Sequence, residues 1–204
     1  GRKDALSPQE QYEMAMQDSQ KKSNEKDTKV YTIRNHDGLG NKFDSTRYIF
    51  KDGTLVYQDE VGANCCEKAF GNINSTTPDG TYYLSDMGTE FAPLYRQADG
   101  TTDSKSYKNT LSLRTNDTNL TEGQRNLVNL GDRLYHSDEI YDYQQGTLTP
   151  YNPNTNAPYG AGCTITDTQT AHDEMMNVLM DGVYNPERIT VRIISLSNME
   201  GFEE

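Results

Sequence analysis

From residue 29 onward, hydrophobic and polar positions alternate with a period of two over several short runs. That period sends successive side chains to opposite faces of a strand. "KVYTIRN" sets Val30, Thr32 and Arg34 on one face and Tyr31 and Ile33 on the other. "TRYIFKDGTLVYQDE" predicts a hairpin. Its two β-rich runs, Tyr48 to Lys51 and Thr54 to Gln58, are separated by Asp52-Gly53, a pair that type I′ turns favour. "DGTYYLSD" repeats the signal at Asp79-Gly80. The pattern over 86–130 is weaker and more polar. There "QADGTTDSKSYKNT" reads as a surface loop and "TEGQRNLVNLG" as a short helical turn. "RLYHSD" reads as a short strand ending at His136.

The period shifts to that of a helix near each end. Ala171, Met175, Val178 and Leu179 share one helical face, with Thr170 and Asp173 as a capping box, Gly182 as the stop and Pro186 beyond it. "RITVRIISL" then predicts a strand. Ile189, Val191 and Ile193 face one way and Ile194 and Leu196 the other, so burial on both sides is expected. At the N-terminus, Ser7 and Pro8 form a helix start. The apolar residues that follow (Tyr12, Met14, Ala15, Met16) make too thin a stripe for a core helix. The expectation is a surface helix or tether over 1–28 and one mainly β domain, sandwich- or barrel-like, over 29–204. No internal repeat is visible.

Composition narrows this picture. Only 33% of the 204 residues are hydrophobic and the mean hydropathy is -0.90, so the apolar residues must cluster into one modest core. Fourteen Tyr and no Trp supply large apolar bodies with polar tips. The net charge of -12 repels phosphate backbones, which argues against nucleic acid and against attachment to an anionic membrane surface. No apolar run approaches the ~20 residues a bilayer crossing needs. The chain opens on Gly1 rather than Met, which reads as a start from which a targeting segment has been removed. The three cysteines, Cys65, Cys66 and Cys163, are too few for a disulfide scaffold. A vicinal bridge, a bridge from one of the pair to Cys163, and free thiols all stay open.

"GAGCTIT" places Cys163 behind a glycine, after a loop of Asn, Pro and Tyr, and "LYHSD" places His136 upstream of it. A thiolate is a nucleophile, an imidazole can take the thiol's proton and return it to a leaving amine, and a glycine lets backbone N–H groups face an oxyanion. Three histidines and three cysteines offer several such pairs, so spacing alone is a weak signal. His172 is expected on a solvated helix position and His36 in a loop. "NHDGLGNKFD" has oxygen ligands at calcium-loop-like spacing but lacks the terminal Glu, so no metal is expected. Asp138, Glu139 and Asp142 read as a solvated edge, with anchoring of substrate ammonium groups as the other possibility.

"STTPDGTYYLSD", "GDRLYHSD" and "GAGCTIT", in that order, resemble the L,D-transpeptidase (YkuD-type) catalytic domain of bacterial cell-wall enzymes. Thr77-Pro78-Asp79-Gly80-Thr81-Tyr82 matches the family's strand-opening T-P-x-G-x-Y motif. His136 with Ser137 matches its histidine, and Gly162-Cys163 the core of its S-x-G-C motif. "YIFKDGTLVYQDEVG" looks like its opening hairpin, and the helix and Val191-Arg-Ile193 like its tail. The resemblance covers roughly residues 29–196. Gly160 and Ala161 stand where the family usually has Ser and His, and Thr166 where an Arg is often found. These departures alter the cleft walls and leave substrate choice open.

The resemblance implies a β-sandwich/barrel-like L,D-transpeptidase fold and acyl transfer on peptidoglycan stem peptides without a cofactor. Cys163 would be the nucleophile and His136 the base, oriented by the carbonyl of Ser137 or a close neighbour. The N–H groups of Cys163 and Gly162 would bind the oxyanion. Tyr135, Tyr151, Tyr159, Gly160 and Ala161 would line the substrate cleft. It also implies export, to periplasm or cell surface, with anchoring through the removed N-terminus. The alternative is a non-catalytic wall- or glycan-binding module on the same scaffold. The oligomeric state is not legible.

Overall fold

The computed structural model describes residues 6–34, 43–63, 76–86, 105–130, 133–142, 144–150 and 162–196. Helix α1 (Pro8–Ser23) starts at the Ser7 N-cap, where a reciprocal capping box with Glu10 forms. None of its residues is buried.

The strands are β1 (Thr28–Arg34), β2 (Ser45–Lys51), β3 (Thr54–Val61), β4 (Gly80–Asp86), β5 (Lys105–Ser106), β6 (Leu111–Arg114), β7 (Leu134–Ser137), β8 (Glu139–Asp142), β9 (Thr147–Pro150), β10 (Thr164–Thr166) and β11 (Thr190–Ser195). Helices α2 (Glu122–Asn129) and α3 (Gln169–Met180) complete the elements, with a 3₁₀ turn at Pro186–Arg188. The main sheet has the order β10-β7-β6-β4-β11-β1-β2-β3. Its two ends meet: Gly62, just after β3, exchanges backbone hydrogen bonds of 2.9 and 2.8 Å with Ile165 of β10. The sheet is therefore nearly closed, a mainly β architecture of the barrel-like kind expected. A second small sheet, β5-β8-β9, lies beside it in sequence continuity with β7.

Local chemistry explains most elements. Asp52 and Gly53 take φ of 50° and 82°, the left-handed pair that a two-residue turn between β2 and β3 requires. The alternation in β1 buries Val30, Thr32 and Arg34, as its pattern predicts. The main core collects Val30, Ile49, Tyr82, Leu84, Leu113, Tyr135, Val191 and Ile193 from the inner faces of the strands. Met175, Met176 and Leu179 of α3 fill it from one end. Lys51 reaches the C-terminal end of α3. Its ammonium donates to Leu179 O and Asp181 O, both at 2.8 Å, and to Thr28 Oγ1 at 3.1 Å. A cation there satisfies carbonyls that a helix end leaves open.

Several expectations need correction. The N-cap of α3 is Thr168, which accepts from Ala171 N at 3.2 Å, and not Thr170. Asp173 is drawn away by Gln169 and Asn109. The buried face of α3 is Gln169, His172, Met175, Met176 and Leu179, so His172 is inside. Burial of the polar Gln169 and His172 shifts the inward face away from the apolar stripe of Ala171, Met175, Val178 and Leu179. Leu196 is exposed, so only Ile194 is buried on the second face of β11. Asp79-Gly80 is no hairpin turn; it opens β4. From Lys105 onward the polar "surface loop" becomes β5 and a buried turn, with Ser106 and Thr110 inaccessible.

One ion pair holds the seam of the sheet. Arg47 of β2 is 0% exposed and faces Asp59 across the β2–β3 ladder. Nε and Nη2 donate to the two carboxylate oxygens at 2.9 and 2.6 Å, and Nη2 also reaches Thr166 Oγ1 on β10 at 3.1 Å. The guanidinium lies over the Tyr135 ring, 5.3 Å from its centroid. Removing one member of a buried pair strands the other charge, at about 3–5 kcal/mol. Arg47→Met is expected to lower unfolding free energy by that amount in urea titrations. Arg47→Met with Asp59→Leu should recover most of it. A single variant within about 1 kcal/mol of the parent contradicts this account.

Candidate functional site

The site forms where β7 and β10 run parallel, in register Thr164↔Tyr135, Ile165↔His136 and Thr166↔Ser137. Alternation sorts these side chains onto two faces. Tyr135 points into the main core and is fully buried beneath Arg47. It packs the interior and does not line a cleft, and burial pushes its hydroxyl up to about 12. On the opposite face, Leu134, Cys163 and Ile165 form a second apolar cluster, joined by Phe43 and Tyr107. His136 shares that face, stacked on Tyr107 with ring centroids 3.8 Å apart and planes at 23°. Cys163 and His136 therefore stand on one face of adjacent strands, two residues out of register. That offset is roughly 7 Å along the strands and 5 Å across them between backbones.

The imidazole is 0% exposed. Its Nδ1 lies 2.6 Å from Ser137 O, which sets Nδ1 as the donor and leaves Nε2 as the acceptor. Nε2 is buried without a hydrogen-bond partner among the described residues. Burial, aided by nearby His172 and opposed by the Ser137 carbonyl, lowers the His136 pKa to about 3. The ring is neutral at ordinary pH. Cys163 is 8% exposed, and its Sγ accepts from Leu134 N at 3.3 Å. Ser137 is braced from the other side: its hydroxyl donates to Gln169 Oε1 at 2.8 Å.

The "TPDGTYY" stretch holds the cysteine loop. Thr77 Oγ1 donates to Gly162 O at 2.6 Å, and Gly162 has φ of 89°, a region in which a side chain is strained. Arg34 in turn donates to Thr77 O at 2.6 Å and pairs with Asp79. Asp79 accepts from Ser195 N and Oγ, both at 2.8 Å, and Tyr82 donates its hydroxyl to Pro78 O. The motif is thus a bracket between β1, β11 and the residue before Cys163.

The acidic residues after His136 are not a fully solvated edge. Asp138 is buried and its N–H donates to Thr166 O at 2.8 Å. Glu139 accepts from Gln169 N at 2.7 Å, at the start of α3, and Asp142 accepts from Gln144 N at 2.9 Å. His172 is buried, its Nε2 2.5 Å from Asn109 O, and burial lowers its pKa to about 4. Tyr151, Tyr159, Gly160 and Ala161 lie outside the described residues, as do His36, Cys65 and Cys66. Two contributors were not anticipated: Tyr107, and Arg47 beside Thr166. Both come from segments distant in sequence, and no local pattern signals either.

Two solved structures are similar to this chain at a low level. One is described as an Ldtfm–avibactam carbamoyl enzyme, with 13% identity, a TM-score of 0.44, and coverage of 82% of this chain and 49% of that one. The other is a point mutant of the Enterococcus faecium L,D-transpeptidase, at 13% identity and TM-score 0.41, covering 82% and 50%. The chain spans about half the length of each. No family model matches the sequence, and no curated protein matches it.

Proposed function

We propose that this chain is a cysteine acyltransferase acting on peptidoglycan stem peptides, by L,D-transpeptidation or L,D-carboxypeptidase-type hydrolysis. The observation that carries this reading is the His136 ring. It is locked by Ser137 O into the tautomer with Nε2 as acceptor, on the same face as Cys163. The ordered TPDGTYY, His-Ser and Gly-Cys motifs support it from the sequence side.

In the proposed reaction His136 Nε2 takes the Cys163 thiol proton, and Sγ forms a bond to the carbonyl carbon at the L-centre to D-alanine bond. The N–H groups of Cys163 and Gly162 receive the oxyanion. The C–N bond breaks, and D-alanine leaves with the proton that His136 returns to its amine. An amine of a second stem, or water, then attacks the thioester and regenerates the thiol. Tyr151, Tyr159, Gly160 and Ala161 remain candidates for the cleft wall, and export to periplasm or cell surface remains part of the proposal.

Intact mass spectrometry after incubation with a carbapenem or a disaccharide-tetrapeptide tests this. One covalent adduct, mapped to Cys163 and lost in Cys163→Ala, is expected. No adduct with either reagent, in folded protein, removes the enzyme reading.

A further inference from the structure

The segment from Tyr107 to Thr110 lies under neither motif, yet it touches both buried histidines. Tyr107 stacks on His136, and Asn109 O meets the His172 ring. The segment is clamped on both sides. Before it, β5 pairs with β8 in register Ser106↔Tyr141. After it, Gln169 Nε2 donates to Lys108 O at 3.1 Å and Asn109 Nδ2 donates to Asp173 Oδ1 at 2.9 Å, both on α3. Asn109 takes φ of 61°, which turns the chain back toward the sheet. A left-handed Asn and two side-chain clasps form a strap, and the strap fixes one ring over one histidine.

A single hydrogen bond from Nδ1 leaves the imidazole free to swing about that contact. A parallel ring at 3.8 Å removes that freedom and excludes water from one face. We propose that Tyr107 is the positioning residue of His136, holding the imidazole plane and its dry surroundings so that Nε2 stays an acceptor aimed at the Cys163 face. This rests on the reading of Cys163 as nucleophile and His136 as base. The ionisable groups around the ring, among the described residues, are Tyr107 on the strap, His172 on α3 and Cys163 before β10, with Arg47, Asp173 and Asp59 farther off beside His172. No carboxylate among those nearest groups holds the ring cationic, so the stack and its burial set its state.

The experiment uses the full chain as parent, Tyr107→Phe and Tyr107→Leu. It reads the His136 ring titration by NMR and the pH profile of carbapenem acylation. Phe keeps the stack and should match the parent in both. Leu fills space without stacking. Its His136 should titrate closer to the ~6.5 of a solvated ring. Its acylation should fall about tenfold or more, with an acid limb moved upward in pH. Asn109→Gly keeps the left-handed backbone and removes one clasp. It should move both readouts less but in the same direction, and it serves if Tyr107→Leu does not fold. Parent-like titration and rate in Tyr107→Leu overturn the proposal, as does a Tyr107→Phe variant as impaired as Tyr107→Leu. If the parent forms no adduct, the acyltransferase reading falls, and the ring titration alone decides whether Tyr107 holds His136.

Discussion

Lowering the pH from about 6.5 to 4.5 should destabilise the folded chain by several kcal/mol, through two buried histidines. Burial lowers His136 to about 3 and His172 to about 4. In the unfolded chain both rings titrate near ~6.5. Between those values the unfolded state binds more protons than the folded one, so stability falls as pH falls. The penalty is absent above the unfolded pKa, grows below it, and levels off once the pH reaches the folded values. Each histidine contributes about 1.4 kcal/mol per pH unit within its window. Urea midpoints at constant slope, taken across the window, measure the effect. His172→Gln, which can still donate to Asn109 O, should flatten the dependence by roughly half. A midpoint independent of pH over the window would show that neither ring is held neutral.

The second large effect is on chemistry. His136→Gln should slow carbapenem acylation of Cys163 by about 10²–10⁴-fold, the usual contribution of a positioned general base. The Gln amide can still donate to Ser137 O but cannot take a thiol proton. The Leu134 N–H remains on Sγ at 3.3 Å, so the position of the sulfur is kept in the variant. Far-UV circular dichroism should match the parent, which separates lost chemistry from lost fold. An acylation rate within about threefold of the parent would exclude His136 as the base.

The bracket around Gly162 explains why the TPDGTYY stretch and the cysteine go together. Thr77 grips the carbonyl just before Cys163, while Arg34 and Asp79 tie Thr77 to β1 and β11. A change in that bracket would move the Cys163 backbone without touching its side chain. Arg47 plays a comparable part at the seam. It brings a guanidinium from β2 to Thr166 on β10, 3.1 Å away.

What was legible along the chain is what short-range chemistry governs. The Asp52-Gly53 turn, the alternation of β1, the Ser7-Pro8 start of α1 and the strand at 190–195 follow from φ preferences, period and capping. Those forces act within a few residues, so they are written in adjacent letters. The motif order points to Cys163 and His136, and the register of β7 and β10 sets them on one face. Other features depend on segments far apart in sequence. The sheet closes through Gly62 and Ile165, Arg47 meets Asp59 and Thr166, and Tyr107 covers His136. His172 looked solvated because its helix neighbours are polar, and it is buried because the 107–110 strap lies across it. Burial and pairing arise from which distant surfaces exclude water together. A single strand or helix carries no record of that until the chain has closed on itself.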